Sequence, residues 1–474
     1  MNSPLLRSAE LRALETRHAD VVPPLMERAG RAAAELALRL LRDRRARVLI
    51  CAGPGNNGGD ARVLARVLKE KGIAVVAVGI GNKVPPGDYG LVVDGLFGIG
   101  LTRPVTGAAA ELIAHINAFP GPVLALDLPS GLDGDTGRMM GIAVRATHTL
   151  SFIGGKPGLY TLDGPDHCGE VNVVDLGLKL DGFPGTLLGV DDFRDCLKPR
   201  ARNSHKGSYG SLAVIGGAAG MTGAALLAGR AGLKLGAGRV FVGLLQTLAV
   251  DPLQPELMLR SPDDALARAT AAVVGPGMGA SDAALDLIRR CLPAERNPRH
   301  AGRASADFPL LLDADALNLL AAHPVLAARV ARREAATLLT PHPAEAARLL
   351  ATTTEAVQAD RVGAALELAQ RFHAHVALKG CGTVIAHPDG RWRINSTGNP
   401  GLASGGSGDV LSGIGGALLA QGWPAAAALS AAVHLHGAAA DALVAAGDGP
   451  VGIAAGELIP AARILLNRWT ADLA

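Results

Sequence analysis

Between Gly401 and Gly413 the chain reads Gly-Leu-Ala-Ser-Gly-Gly-Ser-Gly-Asp-Val-Leu-Ser-Gly and then runs on into apolar residues. Closely spaced glycines let a backbone turn through left-handed conformations and bring its N–H groups near a ligand. The apolar run predicts a helix, and a helix N-terminus offers unpaired N–H donors and partial positive charge, a setting made for phosphate. Asp409 is out of place there unless it is used. A carboxylate beside bound phosphate is repelled, and one use for it is as base toward an attacking hydroxyl. The alternative is a surface turn in which Asp409 caps the helix. Loop, acid and apolar helix arrive together and in order, which favours the phosphate loop.

With 474 residues the chain is long for one domain, and two or three are expected. Half of it is apolar but only 3% aromatic, so the core is built from Ala, Val and Leu. The 61 glycines follow no collagen-like period and point to many tight loops, as in nucleotide-binding α/β proteins. A formal charge of +3 without a basic stripe makes nucleic acid no default partner. Cys51, Cys168, Cys196, Cys291 and Cys381 are scattered and form no CxxC pair. That argues for a reducing, cytoplasmic setting and against a disulfide frame or structural zinc. The N-terminal stretch lacks a signal-peptide apolar core. Val410 to Ala440 carries no formal charge and is long enough to span a bilayer, but Gln421-Gly-Trp-Pro424 interrupts it and His434 and His436 follow. Two buried helices joined by a turn are expected, and no membrane.

Residues 5 to 42 read as helix, broken at Pro23-Pro24. Arg47 to Cys51 reads as a buried strand, Gly53 to Asp60 as a glycine loop and Ala61 to Lys71 as a helix, the order that binds phosphate at a strand's C-terminal end. A bare turn is the alternative, since the spacing is not G-x-G-x-x-G. Further strands are expected at 74–79, 91–94, 123–127, 148–152 and 171–175, giving a mostly parallel layered α/β domain. Asp94 and Asp127 end two of them. Asn57, Asp94, Asp127 and Ser130 are therefore expected to converge at one sheet edge, as hard oxygen ligands suited to an alkali or alkaline-earth ion. Each acid taken alone is as readily a loop cap. Residues 176–206 read as a linker. A second α/β pattern follows, whose strands empty into Gly216–Ala224, Gly275–Gly279, Asp313–Asn318, Thr340–Glu345 and Lys379–Thr383. Leu292 to Asp307 reads as a surface insertion. His342, between two prolines, is either structural or part of the active edge. Lys379 and Thr383 are suited to phosphate oxygens.

Asn56-Asn-Gly-Gly-Asp60, Val93-Asp-Gly-Leu-Phe-Gly-Ile-Gly100, Asp127-Leu-Pro-Ser-Gly131, Asn203-Ser-His-Lys-Gly207, Gly275-Pro-Gly-Met-Gly279, Thr340-Pro-His-Pro343, Lys379-Gly-Cys-Gly-Thr383 and Gly405-Gly-Ser-Gly-Asp-Val410 together resemble the NAD(P)H-hydrate repair enzymes. These join an epimerase domain to an ADP-dependent dehydratase domain. The resemblance implies an α/β chain with a Rossmann-like three-layer domain over residues 1–185 and a ribokinase-like α/β domain over 186–474. It implies that the first domain interconverts the R and S hydrates of NADH and NADPH (NADHX and NADPHX). Asn57, Asp94 and Ser130 would hold potassium. Asn56, Asn57, Gly58, Gly59, Asp60, Gly98, Ile99, Gly100, Leu101, Thr102, Arg103, Pro104 and Asp127 would contact the substrate, with Asp127 as acid/base. The second domain would dehydrate the S epimer at the expense of ADP and with magnesium. Lys379, Gly380, Cys381, Gly382, Thr383 and Gly408 would bind the nucleotide, and Ala224, Gly277, Gly279, His342 and Asp409 the hydrate, with Asp409 catalytic. The expected partners are these small molecules and further copies of the chain, as a tetramer or larger. A ribokinase-type small-molecule kinase and a non-catalytic nucleotide-binding scaffold are the competing readings.

Overall fold

The computed structural model describes residues 3–180, 182–292 and 308–472. It divides into two compact units, residues 3–186 and the chain from Leu187 onward.

In the first unit, β1 (Arg47–Ala52), β2 (Val75–Val78), β3 (Tyr89–Gly95), β4 (Val123–Leu126), β5 (His148–Phe152) and β6 (Glu170–Val174) form a sheet of order β2-β1-β3-β4-β5-β6. Every pairing is parallel. The reason lies in β1, where Val48-Leu-Ile-Cys51 is apolar without alternation and must be covered on both faces. Val48 and Ile50 pack with Ala33, Leu64 and Leu68 of helices Leu25–Leu40 and Asn56–Glu70. Leu49 and Cys51 pack with Ile113 and Ile116 of helix Gly107–Asn117. The chain leaves β1 toward β2 and returns on the other side as β3, so the loops after β1 and β3 part and open a crevice.

The second sheet uses β7 (Gly185–Leu187), β8 (Ser211–Gly216), β9 (Arg239–Leu244), β10 (Met258–Arg260), β11 (Ala271–Val274), β12 (Leu310–Leu312), β13 (Thr337–Leu339), β14 (His375–Leu378), β15 (Val384–Ala386) and β16 (Trp392–Ile394). Their order is β10-β9-β8-β11-β12-β13-β14-β15-β16-β7. Pairing is parallel from β10 to β14 and antiparallel through β15 and β16. Here the direction reverses between β8 and β11. Helix Ser407–Ala420 lies in the core, with Val410, Ile414 and Leu418 among Leu212, Val273 and Leu311. It is joined to Ala425–Ala446 through a short turn, as the charge-free stretch implied.

Several local expectations need correction. The helical stretch expected over 5–42 is interrupted at Pro23-Pro24 as read, but its two helices are shorter, Ser8–Arg17 and Leu25–Leu40. Leu6 instead runs extended, its N–H donating to Gly155 O at 2.8 Å. The glycine loop expected over Gly53–Asp60 ends at Gly55, and Asn56 already begins the helix. Gly58 is required because a side chain there would run into the Gly53 carbonyl, so it serves close packing and not a left-handed turn. The expected linker holds β7 and short 3-10 turns at Val190–Asp192 and Arg194–Cys196. Beyond Leu292, the expected surface insertion lies outside the described residues.

Candidate active sites

Asp94 ends β3 fully buried. Its Oδ1 accepts the Ser130 hydroxyl at 2.6 Å and the Leu96 N–H at 3.2 Å, and its Oδ2 accepts the Ser130 N–H at 2.8 Å. Asn57, in the first turn after β1, donates Nδ2 to the Phe97 carbonyl at 2.9 Å. Ser130 Oγ lies 3.1 Å from that same carbonyl and accepts the Phe97 N–H at 2.8 Å. Asn57, Asp94 and Ser130 are thus gathered around Phe97, as their strand-end positions implied. Burial pushes Asp94 up to about 6, against the pull of its hydrogen bonds from Ser130 and Leu96. Asn57 Oδ1 is buried and, among the described residues, has no hydrogen-bond partner. An orphaned amide oxygen costs about 1–3 kcal/mol, which a cation would relieve. The residues therefore fit a hard monovalent ion.

Above this cluster lies a cavity of about 860 Å³. Asn56, Asn57, Asp60, Gly98, Ile99, Gly100, Leu101, Thr102, Arg103 and Asp127 line it. Gly58 and Gly59 turn into packing instead, Gly59 against Met26, and Pro104 is not among the lining residues. Asp127 has φ 67°, a left-handed conformation that aspartate tolerates better than most residues. Its carboxylate is held by Lys156, whose fully buried ammonium also donates to Ser151 Oγ and the Phe152 carbonyl, each at 2.9 Å. Asp60 is pushed up to about 8 by burial, with Asp127 and Glu15 adding to it. Glu15 is raised too, by burial and then Asp127. Lys156 and the N-terminal helix residues Arg12 and Glu15 were not singled out from sequence. Lys156 carried a usable signal, a lone cation after two glycines at the end of β5.

In the second unit the helix begins at Ser407, so Gly408 and Asp409 lie in its first turn. Gly406 is the N-cap, with φ 88°, and no side chain among the described residues caps this end. Asp409 is therefore no cap, and the first-turn amides keep free donors. A methyl group on Gly408 would stand 3.7 Å from Lys379 Nζ and 3.9 Å from Asp313 Oδ2. Lys379 donates to Asp313 Oδ1 at 2.8 Å and to the Thr340 carbonyl, with Glu345 Oε2 at 3.8 Å. Burial works against the Lys379 ammonium, but Asp313 and Glu345 outweigh it and hold its pKa above the usual lysine value. Burial, reinforced by Asp313, pushes Asp409 up to about 6. Glu345 is raised to about 7, chiefly by burial.

The remaining expected residues surround this cluster. Gly279 N–H donates to Asp315 Oδ2 at 2.8 Å, which ties the loop after β11 to the loop after β12. Gly277 stands against Ala224, where an added methyl would come within 3.1 Å. His342 plays a structural part by capping helix Pro343–Leu350. Its Nδ1 accepts Ala344 N–H at 3.1 Å while its own N–H donates to Glu345 Oε2 at 2.7 Å. Half the ring stays exposed beside Lys379, so the cap does not use the residue up. Thr383 Oγ1 closes the 379–383 loop on the Gly380 carbonyl at 3.2 Å, and Cys381 is exposed. Beneath it the buried Arg361 donates to the carbonyls of Leu378, Lys379 and Gly382 at 3.2–3.3 Å. Arg361 was missed, because nothing in a helix-opening Asp-Arg marks it as a loop anchor. Among the described residues no group of three or more His, Cys, Asp or Glu is arranged to hold a metal. A magnesium ion here would have to arrive with phosphate oxygens, its usual habit.

The family described as NAD(P)H-hydrate dehydratase matches residues 212–459. The family described as YjeF-related protein N-terminus matches residues 23–87 and 80–158. The bifunctional NAD(P)H-hydrate repair enzyme Nnr of Coxiella burnetii is 39% identical over 94% of this chain and 94% of its own. Among solved structures, an ADP/ATP-dependent NAD(P)H-hydrate dehydratase of Bacillus subtilis, co-crystallised with ATP and Mg2+, is 29% identical with TM-score 0.50, covering 59% of this chain and 97% of that one. A ribokinase-like superfamily protein of Enterococcus faecalis shares the fold, at 24% identity and TM-score 0.52, over 62% of this chain and 99% of that one. The first unit is thus a Rossmann-like domain and the second a ribokinase-like one, and the chain belongs to the bifunctional NAD(P)H-hydrate repair enzymes.

Proposed function

We propose that the chain returns damaged, hydrated NADH and NADPH to the working pool by chemistry at two separate sites. The second unit removes water from the S hydrate, and the first converts R to S so that both epimers are recovered. Hydroxide is a poor leaving group from the nicotinamide ring, whereas phosphate is a good one. Asp409 takes the proton of the substrate hydroxyl as its oxygen bonds to the β-phosphorus of ADP. The bond from that phosphorus to the bridging oxygen breaks, releasing AMP. The ring C–O bond then breaks, phosphate leaves, and loss of the adjacent ring proton restores the dihydropyridine. Lys379 and the amides of Gly408 and Asp409 face the charge that develops on the phosphoryl group. Magnesium, when bound with the nucleotide, neutralises further phosphate charge.

In the first unit Asp127 serves as acid/base, oriented by Lys156. Asn57, Asp94, Ser130 and the Phe97 carbonyl are the groups that would hold potassium, whose charge would offset that of the substrate. The observation that carries the reading is the meeting of Lys379, Asp313 and Asp409 at the open end of a helix whose first turn is uncapped. The test is incubation with hydrated NADH with and without ADP. Dehydration should require ADP and yield AMP and phosphate, whereas accumulation of a phosphorylated product would identify a kinase instead.

A further inference from the structure

Asp313 is not among the residues assigned to substrate or nucleotide, yet it lies between them. It ends β12 at 2% exposure. One of its oxygens accepts from Lys379, which follows β14, at 2.8 Å. The other accepts from Ser412 Oγ at 2.5 Å, and Ser412 is fully buried one turn below Asp409 on the helix that opens the anion site. One carboxylate therefore clamps a strand end to a helix, and a methyl on Gly408 would stand 3.7 Å from Lys379 Nζ and 3.9 Å from Asp313 Oδ2. Pairing with Lys379 accounts for one of these oxygens, since Asp313 is the nearest carboxylate to that ammonium, and leaves the bond to Ser412 to be explained.

We propose that Asp313 is a positioning residue that sets both the distance and the charge balance between Lys379 and Asp409. The inference rests on the reading of Asp409 as the base. Through Ser412 it fixes the turn that presents Asp409, and through Lys379 it fixes the ammonium that meets the phosphate. Its own charge stands behind Asp409 and, after burial, is the largest influence keeping that carboxyl protonatable near neutral pH. The other charged groups facing Asp409 are Lys379, which opposes this, and Asp315, which adds to it. Behind the loop, Ser407 meets His436, which burial pushes down to about 4 and keeps neutral.

The test is the pH dependence of kcat for ADP-dependent dehydration by the full-length Asp313→Asn variant, which keeps the shape and drops the charge. The acid limb of the profile is expected to move down by about one pH unit, the usual reach of one like charge. A uniform fall in kcat with the limb unmoved would overturn the proposal and leave Asp313 merely structural. Ser412→Ala keeps every charge and covers the case in which Asp313→Asn does not fold. It is expected to lower kcat at least about tenfold with the acid limb in place, and a kcat within twofold of wild type would also overturn the proposal. Failure of the underlying reading has a separate sign, full dehydration by Asp409→Asn.

Discussion

Lys156 reaches across from the loop after β5 to hold the carboxylate of Asp127, which leaves β4 in a left-handed conformation. The ammonium is fully buried and, among the described residues, has no other carboxylate in hydrogen-bond contact, so Asp127 is its one ionic partner there. Lys156→Met is expected to cost about 3–5 kcal/mol of stability, because it strands a buried charge. Epimerisation should fall at least about 100-fold while ADP-dependent dehydration of pure S hydrate stays within twofold. Thermal unfolding and the two separate assays check this, and retained epimerisation would remove Asp127 and its partner from the chemistry.

For the ion site, Asp94→Ala is expected to abolish stabilisation by potassium as well as epimerisation. The wild-type protein should melt higher in potassium chloride than in an equal concentration of choline chloride, and the variant should not. Anomalous or omit density beside Asn57 Oδ1 in crystals grown with potassium gives a readout independent of activity. Equal melting in both salts would mean that the orphaned amide oxygen is satisfied some other way.

Asp409→Asn is expected to lower dehydration by about 10² to 10⁴ while ADP binding stays within a few-fold. The amide keeps the shape but accepts no proton. A base must be unprotonated to act, and this one is pushed up to about 6, so wild-type kcat should decline as pH falls below about 6. A profile flat to pH 5 would argue against a buried carboxyl as base.

Much of this arrangement was legible in the sequence because parallel sheets deliver strand C-termini to one edge, so Asp94, Asp127, Asp313 and Lys379 sort to the right side from the strand pattern alone. Pairing between those ends was not legible. Lys156 meets Asp127 only because β4 and β5 are neighbours, and Asp313 meets Ser412 across 99 residues of chain. The early start of the helix at Asn56 was hidden for a different reason. Glycine disfavours helix locally, and only packing against Gly53 and Met26 makes it the best choice at Gly58 and Gly59.

Stability should also depend on pH through the antiparallel edge. Arg393 Nη1 donates to His387 Nε2 at 2.8 Å, which leaves Nδ1 of that ring to donate to His375 Nδ1 at 2.8 Å. Burial, then His375 and Arg393, push His387 from 6.5 down to about 3. The unfolded chain takes up this proton near pH 6.5 and the folded chain does not. The stabilisation is thus complete above about 6.5 and is lost as pH falls toward 3, by at most about 1.4 kcal/mol per pH unit. Urea unfolding at pH 7 and pH 5 should show the loss, and His387→Gln should flatten it. An unchanged slope in the variant would place the acid sensitivity elsewhere.

The most direct test follows both epimers of hydrated NADH by chromatography with the intact protein. With ADP, the S form should disappear first and the R form should follow through it, until NADH accounts for both and AMP matches NADH one for one. Without ADP, the two epimers should only equilibrate. Persistence of the R epimer at its spontaneous rate, or NADH formation without AMP, would contradict a chain that joins epimerisation to ADP-driven dehydration.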